Sequence, residues 1–239
     1  MSRVNILSGG AAQGLVGSLT PAFKAQTGFE ITGEFGAVGV MADKLRKGAP
    51  ADIIVLTAAL VAKLAAEKLV LAASTADVGL VETALAVRTG DPQAAVKDAA
   101  DLREALLASD AIYVPDTKAS TAGIHIANVL QQLGIADEVA ARLRIFPNGA
   151  TAMRELAASE ARRPIGCTQS TEIISTKDLT LSGSLPPGCE LATMYTAGIT
   201  AAAAHPQQAQ HLIDLLTGAT QYEQRKRAGF INPRSQTPT

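Results

Sequence analysis

Three short stretches of this chain place small or hydroxyl residues where an apolar run gives way to a helical pattern. They are Ser8-Gly9-Gly10-Ala11-Ala12-Gln13, Gly36-Ala37-Val38-Gly39 and Lys118-Ala119-Ser120-Thr121-Ala122-Gly123. Small side chains let a ligand approach the backbone N–H groups. The start of a helix adds about half a positive charge, so the chemistry these loops suit is the binding of a small anion by backbone amides. Each stretch also has a plain structural reading: Gly9-Gly10 as a tight turn, Ser120 or Thr121 as a helix cap.

A fourth polar stretch, Gln169-Ser170-Thr171-Glu172, follows the apolar run at 165–168. It either presents polar groups to a ligand or forms a solvated loop with a helix cap. Lys118 lies inside the third loop, and Arg88 ends an apolar run. One positive charge at either place suits a carboxylate. Catalytic patterns are thin. No G-x-S-x-G elbow, Walker A sequence or G-x-G-x-x-G is present, which disfavours acyl transfer by a serine and nucleotide binding. If the chain is an enzyme, His125 and Glu172 are the candidate bases and Lys118 the candidate anion stabiliser. The three histidines (His125, His205, His211) are scattered, and neither Cys167 nor Cys189 has metal-ligand spacing around it. No metal and no cofactor is expected, and the two cysteines read as free, buried thiols.

The elements that must position these residues alternate. Strand-like runs fall at 4–7, 29–35, 52–56, 80–87, 111–114, 145–146, 164–168 and 191–201. Helical patterns fall at 11–26, 41–47, 58–68, 102–108, 124–133, 137–143, 151–162, 206–216 and 221–228. In the first helix Leu15, Leu19 and Phe23 recur four apart on one face. A turn is expected at 36–39, and the tail after Phe230 reads as loose. Strand–helix alternation of this kind predicts parallel βαβ units and an α/β fold. Ligands of such sheets bind at the carboxyl ends of strands, where the three loops lie.

The 239 residues allow one large domain or two small ones; 47% are hydrophobic and 18% charged, ample for a packed core. Lys+Arg is 21 against Asp+Glu 22, a net charge of -1, which provides no footprint for nucleic acid or an anionic membrane. Aromatics are 3% with no Trp, so base-stacking platforms are also excluded. No apolar run reaches the roughly 18–20 residues that span a bilayer. The N-terminus shows no basic stretch followed by an apolar core, so the expectation is cytoplasmic for a complete chain and periplasmic for one whose leader was removed.

The order of segments resembles the molybdate-binding type of periplasmic solute-binding protein across nearly the whole length. The resemblance rests on Lys47-Gly48-Ala49-Pro50-Ala51-Asp52-Ile53, on Thr121-Ala122-Gly123-Ile124 opening a helix, on Pro164-Ile165-Gly166 entering a strand, and on the stretch from His205 to Gly229-Phe230. It implies a two-lobed type II periplasmic-binding-protein-like fold, each lobe a mainly parallel sheet flanked by helices, joined by two hinge strands near 81–87 and 191–199. Residues 1–82 with 195–239 would form the first lobe and 83–194 the second, closing on a ligand in the cleft. Such proteins hold an oxyanion with hydroxyls on the first two loops and a tyrosine after a later strand. Here Ala11 and Ala12, then Val38 and Gly39, stand where serines are usual, and Gln169 stands in place of the tyrosine. Lys118, Ser120, Thr121, Gln169 and Ser170 suit a small carboxylate better. The resemblance thus implies a monomeric binding protein for a small anion, served by an ABC transporter permease if exported. Relatives that are aconitate isomerases offer the alternative, proton abstraction and double-bond migration in an unsaturated tricarboxylate.

Overall fold

Strand β1 (Arg3–Gly9) opens the structure, a computed structural model that describes residues 2–231. A turn of 3-10 helix, Gly10–Ala12, leads to α1 (Gln13–Thr27), β2 (Glu30–Gly36), α2 (Val38–Arg46), β3 (Ile53–Thr57) and α3 (Ala58–Ala66). Next come β4 (Ala76–Arg88), α4 (Ala99–Ala108), β5 (Ala111–Pro115), α5 (Thr121–Gln132), α6 (Ala136–Val139) and β6 (Leu143–Phe146). Then α7 (Gly149–Ala157), β7 (Pro164–Gln169), α8 (Ser170–Ile174) and β8 (Leu179–Ser184) precede β9 (Ala192–Ile199), α9 (Pro206–Thr217) and α10 (Tyr222–Arg227). The fold is α/β. Residues 2–81 with 193–231 form one compact unit and 82–192 the other. The expected loose tail lies almost wholly outside the described residues.

In the first unit β1 runs parallel to both β2 and β3, and β9 runs antiparallel to β3. The helices bury the faces that their spacing dictates. In α1, Leu15, Val16, Leu19 and Phe23 are enclosed, and Gly28 ends the helix at φ 74°, a left-handed conformation that glycine adopts without a Cβ penalty. These side chains pack with Ile6, Ile54 and Leu56 of the sheet and with Leu212 and Leu216 of α9. Burying one such leucine contributes about 1.5–3 kcal/mol. Asp52, from the segment that carried the resemblance, is a buried carboxylate. It accepts the amide of Asn5 at 2.8 Å and the amide of His205 at 2.8 Å, tying β1 to the start of α9.

In the second unit β5 lies between β6 and β7, parallel to both, and β4 runs antiparallel to β7 and β8. Alternation along β4 sorts its side chains onto two faces. Leu85 joins Leu102, Leu106, Ile126, Val129 and Cys167 beneath α4 and α5. Ala84 and Ala86 join Met153, Leu156 and Ile173 beneath α7 and α8. The second face is tight: a Cβ on Gly166 would lie 2.6 Å from both Leu156 and Met153.

Several boundaries differ from expectation. Ser8 and Gly9 complete β1 and are not part of the turn. The turn expected at 36–39 is shorter, because α2 already begins at Val38. Helix α5 begins at Thr121, three residues earlier than expected, and β4 begins at Ala76. Helix α7 stops at Ala157. Just beyond it Ser159 is held elsewhere, its carbonyl accepting from Arg88 Nη1 at 2.6 Å and its hydroxyl from the Tyr113 hydroxyl at 2.9 Å.

Candidate functional site

The first two loops meet inside the first unit. Parallel pairing sets Gly9 opposite Gly36, so β1 and β2 end side by side. A Cβ on Gly9 would lie 2.8 Å from Val38 Cγ1 and 2.9 Å from Tyr195 Cε1, so the backbone here admits only glycine. Ser8, Gly9, Gly10, Ala11 and Ala12 are all buried, and the methyl groups of Ala11 and Ala12 belong to the core. The Ser8 hydroxyl turns inward and donates to the Gly9 carbonyl at 2.9 Å. Ala37 stands at the N-cap of α2, followed by buried Val38 and half-buried Gly39. Neither α1 nor α2 has a side-chain cap, in contrast to α4 and α7, where Asp98 and Asn148 accept first-turn amides. Tyr195, which the sequence reading did not single out, lies against Gly9 and meets Phe230 edge-on, ring centroids 6.5 Å apart.

The third loop lies in the second unit at the end of β5. Asp116 organises it: one carboxylate oxygen accepts the amides of Lys118 at 2.7 Å and Ala119 at 2.9 Å, and its carbonyl accepts the amide of Ser120 at 3.1 Å. Those amides are consumed by the loop itself. The amides of Thr121, Ala122 and Gly123 form the first turn of α5, where no intrahelical acceptor exists. Ser120 is the N-cap residue but provides no side-chain cap. The helix start presses onto the strand end so closely that a Cβ on Gly123 would be 2.1 Å from the Asp116 carbonyl oxygen. The Lys118 side chain is exposed. His125 is partly buried, with Nε2 2.8 Å from the Cys189 carbonyl. A carbonyl only accepts, so Nε2 carries the proton and Nδ1 alone is left for base chemistry.

The fourth stretch is not a solvated loop. Gln169 closes β7, and Ser170, Thr171 and Glu172 lie buried in the short helix α8. Glu172 is 5% exposed; it accepts the Thr168 hydroxyl at 2.5 Å and the backbone amides of Gln169 and Ala150. The bond to the Gln169 amide is the reach-back of a helix capping box. Burial nevertheless outweighs these three donors and pushes the Glu172 carboxyl up to about 7. Gly149 makes room for it: a Cβ there would be 1.9 Å from Glu172 Oε2. The protein's own carboxylate thus fills the start of α7.

Sequence reasoning also missed Thr83, a hydroxyl within an apolar strand, buried and without a hydrogen-bond partner among the described residues. Its only signal was a polar residue in the run Val81-Glu82-Thr83-Ala84-Leu85. Among the described residues no three His, Cys, Asp or Glu side chains gather as metal ligands, and no helix is long and apolar enough to cross a membrane. Cys167 and Cys189 are free and buried.

Loops at strand ends, helix starts without side-chain caps and mixed sheets flanked by helices are the features of an α/β fold that holds a ligand at its strand ends. The chain belongs to the bacterial extracellular solute-binding protein family, whose model matches residues 4–231. Among solved structures it is similar to the periplasmic molybdate-binding protein of Azotobacter vinelandii, with TM-score 0.79 and 19% identity over 96% of this chain and 99% of that one. It is also similar to a sulfate-binding protein of Mycobacterium tuberculosis, with TM-score 0.75 and 16% identity over 98% and 88% of the two chains. An aconitate isomerase of Pseudomonas sp. is 23% identical over 227 residues, 90% of this chain and 82% of that protein.

Proposed function

We propose that this solute-binding protein takes up a small carboxylate through backbone amides. The observation that carries the reading is that α2 and α5 start at strand ends, and α1 one 3-10 turn beyond β1, all without a side-chain cap. The side chains around two of those starts are Ala11, Ala12, Ala37 and Val38, and the Ser8 hydroxyl donates inward. A compact tetrahedral oxyanion needs acceptors satisfied on every side. A carboxylate carries its charge at one end and apolar carbon at the other, which fits amides beside methyl groups. Lys118 adds a positive charge at the third loop. In this reading the protein delivers its solute to an ABC transporter permease from the periplasm, as its family membership supports.

Isothermal titration of the protein against citrate, cis-aconitate, succinate, molybdate and sulfate tests the proposal. Binding of a carboxylate with no heat from molybdate or sulfate is expected. Binding of molybdate alone, or of nothing, overturns it.

A second reading is isomerisation of an unsaturated tricarboxylate. The similarity to an aconitate isomerase favours it, as does a buried carboxyl, Glu172, that titrates near neutral pH as a proton-transfer group would. Incubation with cis-aconitate, followed by NMR for the trans isomer, decides it; an unchanged spectrum removes catalysis.

A further inference from the structure

We infer that Thr83 is a ligand-contacting hydroxyl, donating to a carboxylate seated on the first turn of α5. The inference rests on the carboxylate-binding reading above and names a residue that reading did not include.

Thr83 is 1% exposed, and its Oγ1 has no hydrogen-bond partner among the described residues. A buried hydroxyl left unsatisfied is unfavourable, so its retention calls for an explanation. The backbone on either side is fixed. The Thr83 amide donates to the Leu191 carbonyl at 2.8 Å, and its own carbonyl accepts the Leu185 amide at 3.2 Å. The backbone that carries the hydroxyl is therefore held in place.

Sheet geometry says where it points. Leu85, two residues on, packs beneath α4 and α5, whereas Ala84 and Ala86 pack on the opposite face beneath α7 and α8. Period-two alternation puts Thr83 on the α5 face. Antiparallel pairing sets Thr83 opposite Gln169, the last residue of β7. Parallel pairing of β5 with β7 aligns Tyr113 with Gly166, so continuing the register brings Asp116 level with Gln169. Asp116 is the residue against which Gly123, in the first turn of α5, packs. Thr83, Gln169 and the start of α5 thus share one face and one end of the same sheet. The segment at 185–191 bounds this region, fixed to α5 by the bond between His125 and the Cys189 carbonyl. A helix start of twelve residues' length and a buried hydroxyl donor converge there.

The experiment compares wild type, Thr83→Val and Thr83→Ser by calorimetric titration with citrate and cis-aconitate, alongside urea unfolding without ligand. Thr83→Val keeps the shape and removes the donor. Its affinity for the carboxylate that wild type binds is expected to fall about tenfold, with the ligand-free protein as stable as wild type or more so. Thr83→Ser keeps the hydroxyl and is expected to bind within about threefold of wild type. Wild-type affinity in Thr83→Val overturns the inference and leaves carboxylate binding standing. If Thr83→Val does not fold, Thr83→Ser decides, and a tenfold loss there overturns the inference. If wild type binds neither carboxylate, the reading beneath it fails and the inference falls with it.

Discussion

Replacing Glu172 by glutamine removes a carboxyl that burial pushes up to about 7. In the unfolded chain the same group sits near 4.5. Between those two values the folded protein keeps a proton that the unfolded chain has released. Stability from this group is therefore fully present below 4.5, falls as the pH rises, and is lost above about 7. The displacement corresponds to about 3 kcal/mol across the window. The opposing contributions come from the Thr168 hydroxyl and the amides of Gln169 and Ala150. Glutamine keeps the volume and one acceptor oxygen but does not titrate. Urea unfolding of wild type and Glu172→Gln, from about pH 4.5 to about pH 8, checks this. The advantage of wild type over the variant is expected to shrink by about 3 kcal/mol on going up that range. A difference that stays constant with pH would mean that Glu172 is ionised throughout, its three donors outweighing desolvation, and would refute the reasoning.

Gly149→Ala forces a Cβ to 1.9 Å from Glu172 Oε2 and 2.3 Å from Thr168 Oγ1. A loss of about 3 kcal/mol in urea unfolding is expected, from overpacking at a buried polar cluster. Asp52→Ala strips the acceptor from the amides of Asn5 and His205 and is expected to cost about 3 kcal/mol in the same assay. Lys118→Ala touches only an exposed side chain, so the melting temperature is expected to stay unchanged. Its carboxylate affinity by calorimetry is expected to fall about threefold at low salt, with the gap narrowing at high salt.

The α/β class was legible because apolar runs and 3.6-residue periodicity alternate along the chain, as at Leu15, Leu19 and Phe23. Strand β8 was not legible: its run, Leu-Thr-Leu-Ser-Gly-Ser, is half-buried or exposed at every position. Helix α8 has five polar-rich residues, too few to show a period, and tertiary burial makes it a helix. The boundary of α7 is set by Arg88 and Tyr113, seventy-one and forty-six residues away in sequence from Ser159, which no local pattern encodes. The strand-end loops could be read from small residues before helices. The direction of a hydroxyl could not. Ser8 turns to its neighbour's carbonyl, and the place of Thr83 follows from its pairing with Gln169 across the sheet.

Burial holds the Cys167 thiol up at about 12, and burial beside Glu190 raises that of Cys189. Both thiols are also enclosed, Cys167 at 0% and Cys189 at 1% exposed, so in the folded protein neither is open to a maleimide or iodoacetamide. A third cysteine placed on the surface, for example Ile145→Cys at a position 52% exposed, would carry the sole reactive sulfur. The wild-type background is in this sense already silent. A fluorophore attached there would mark the protein at a single known address, with no native residue to remove first.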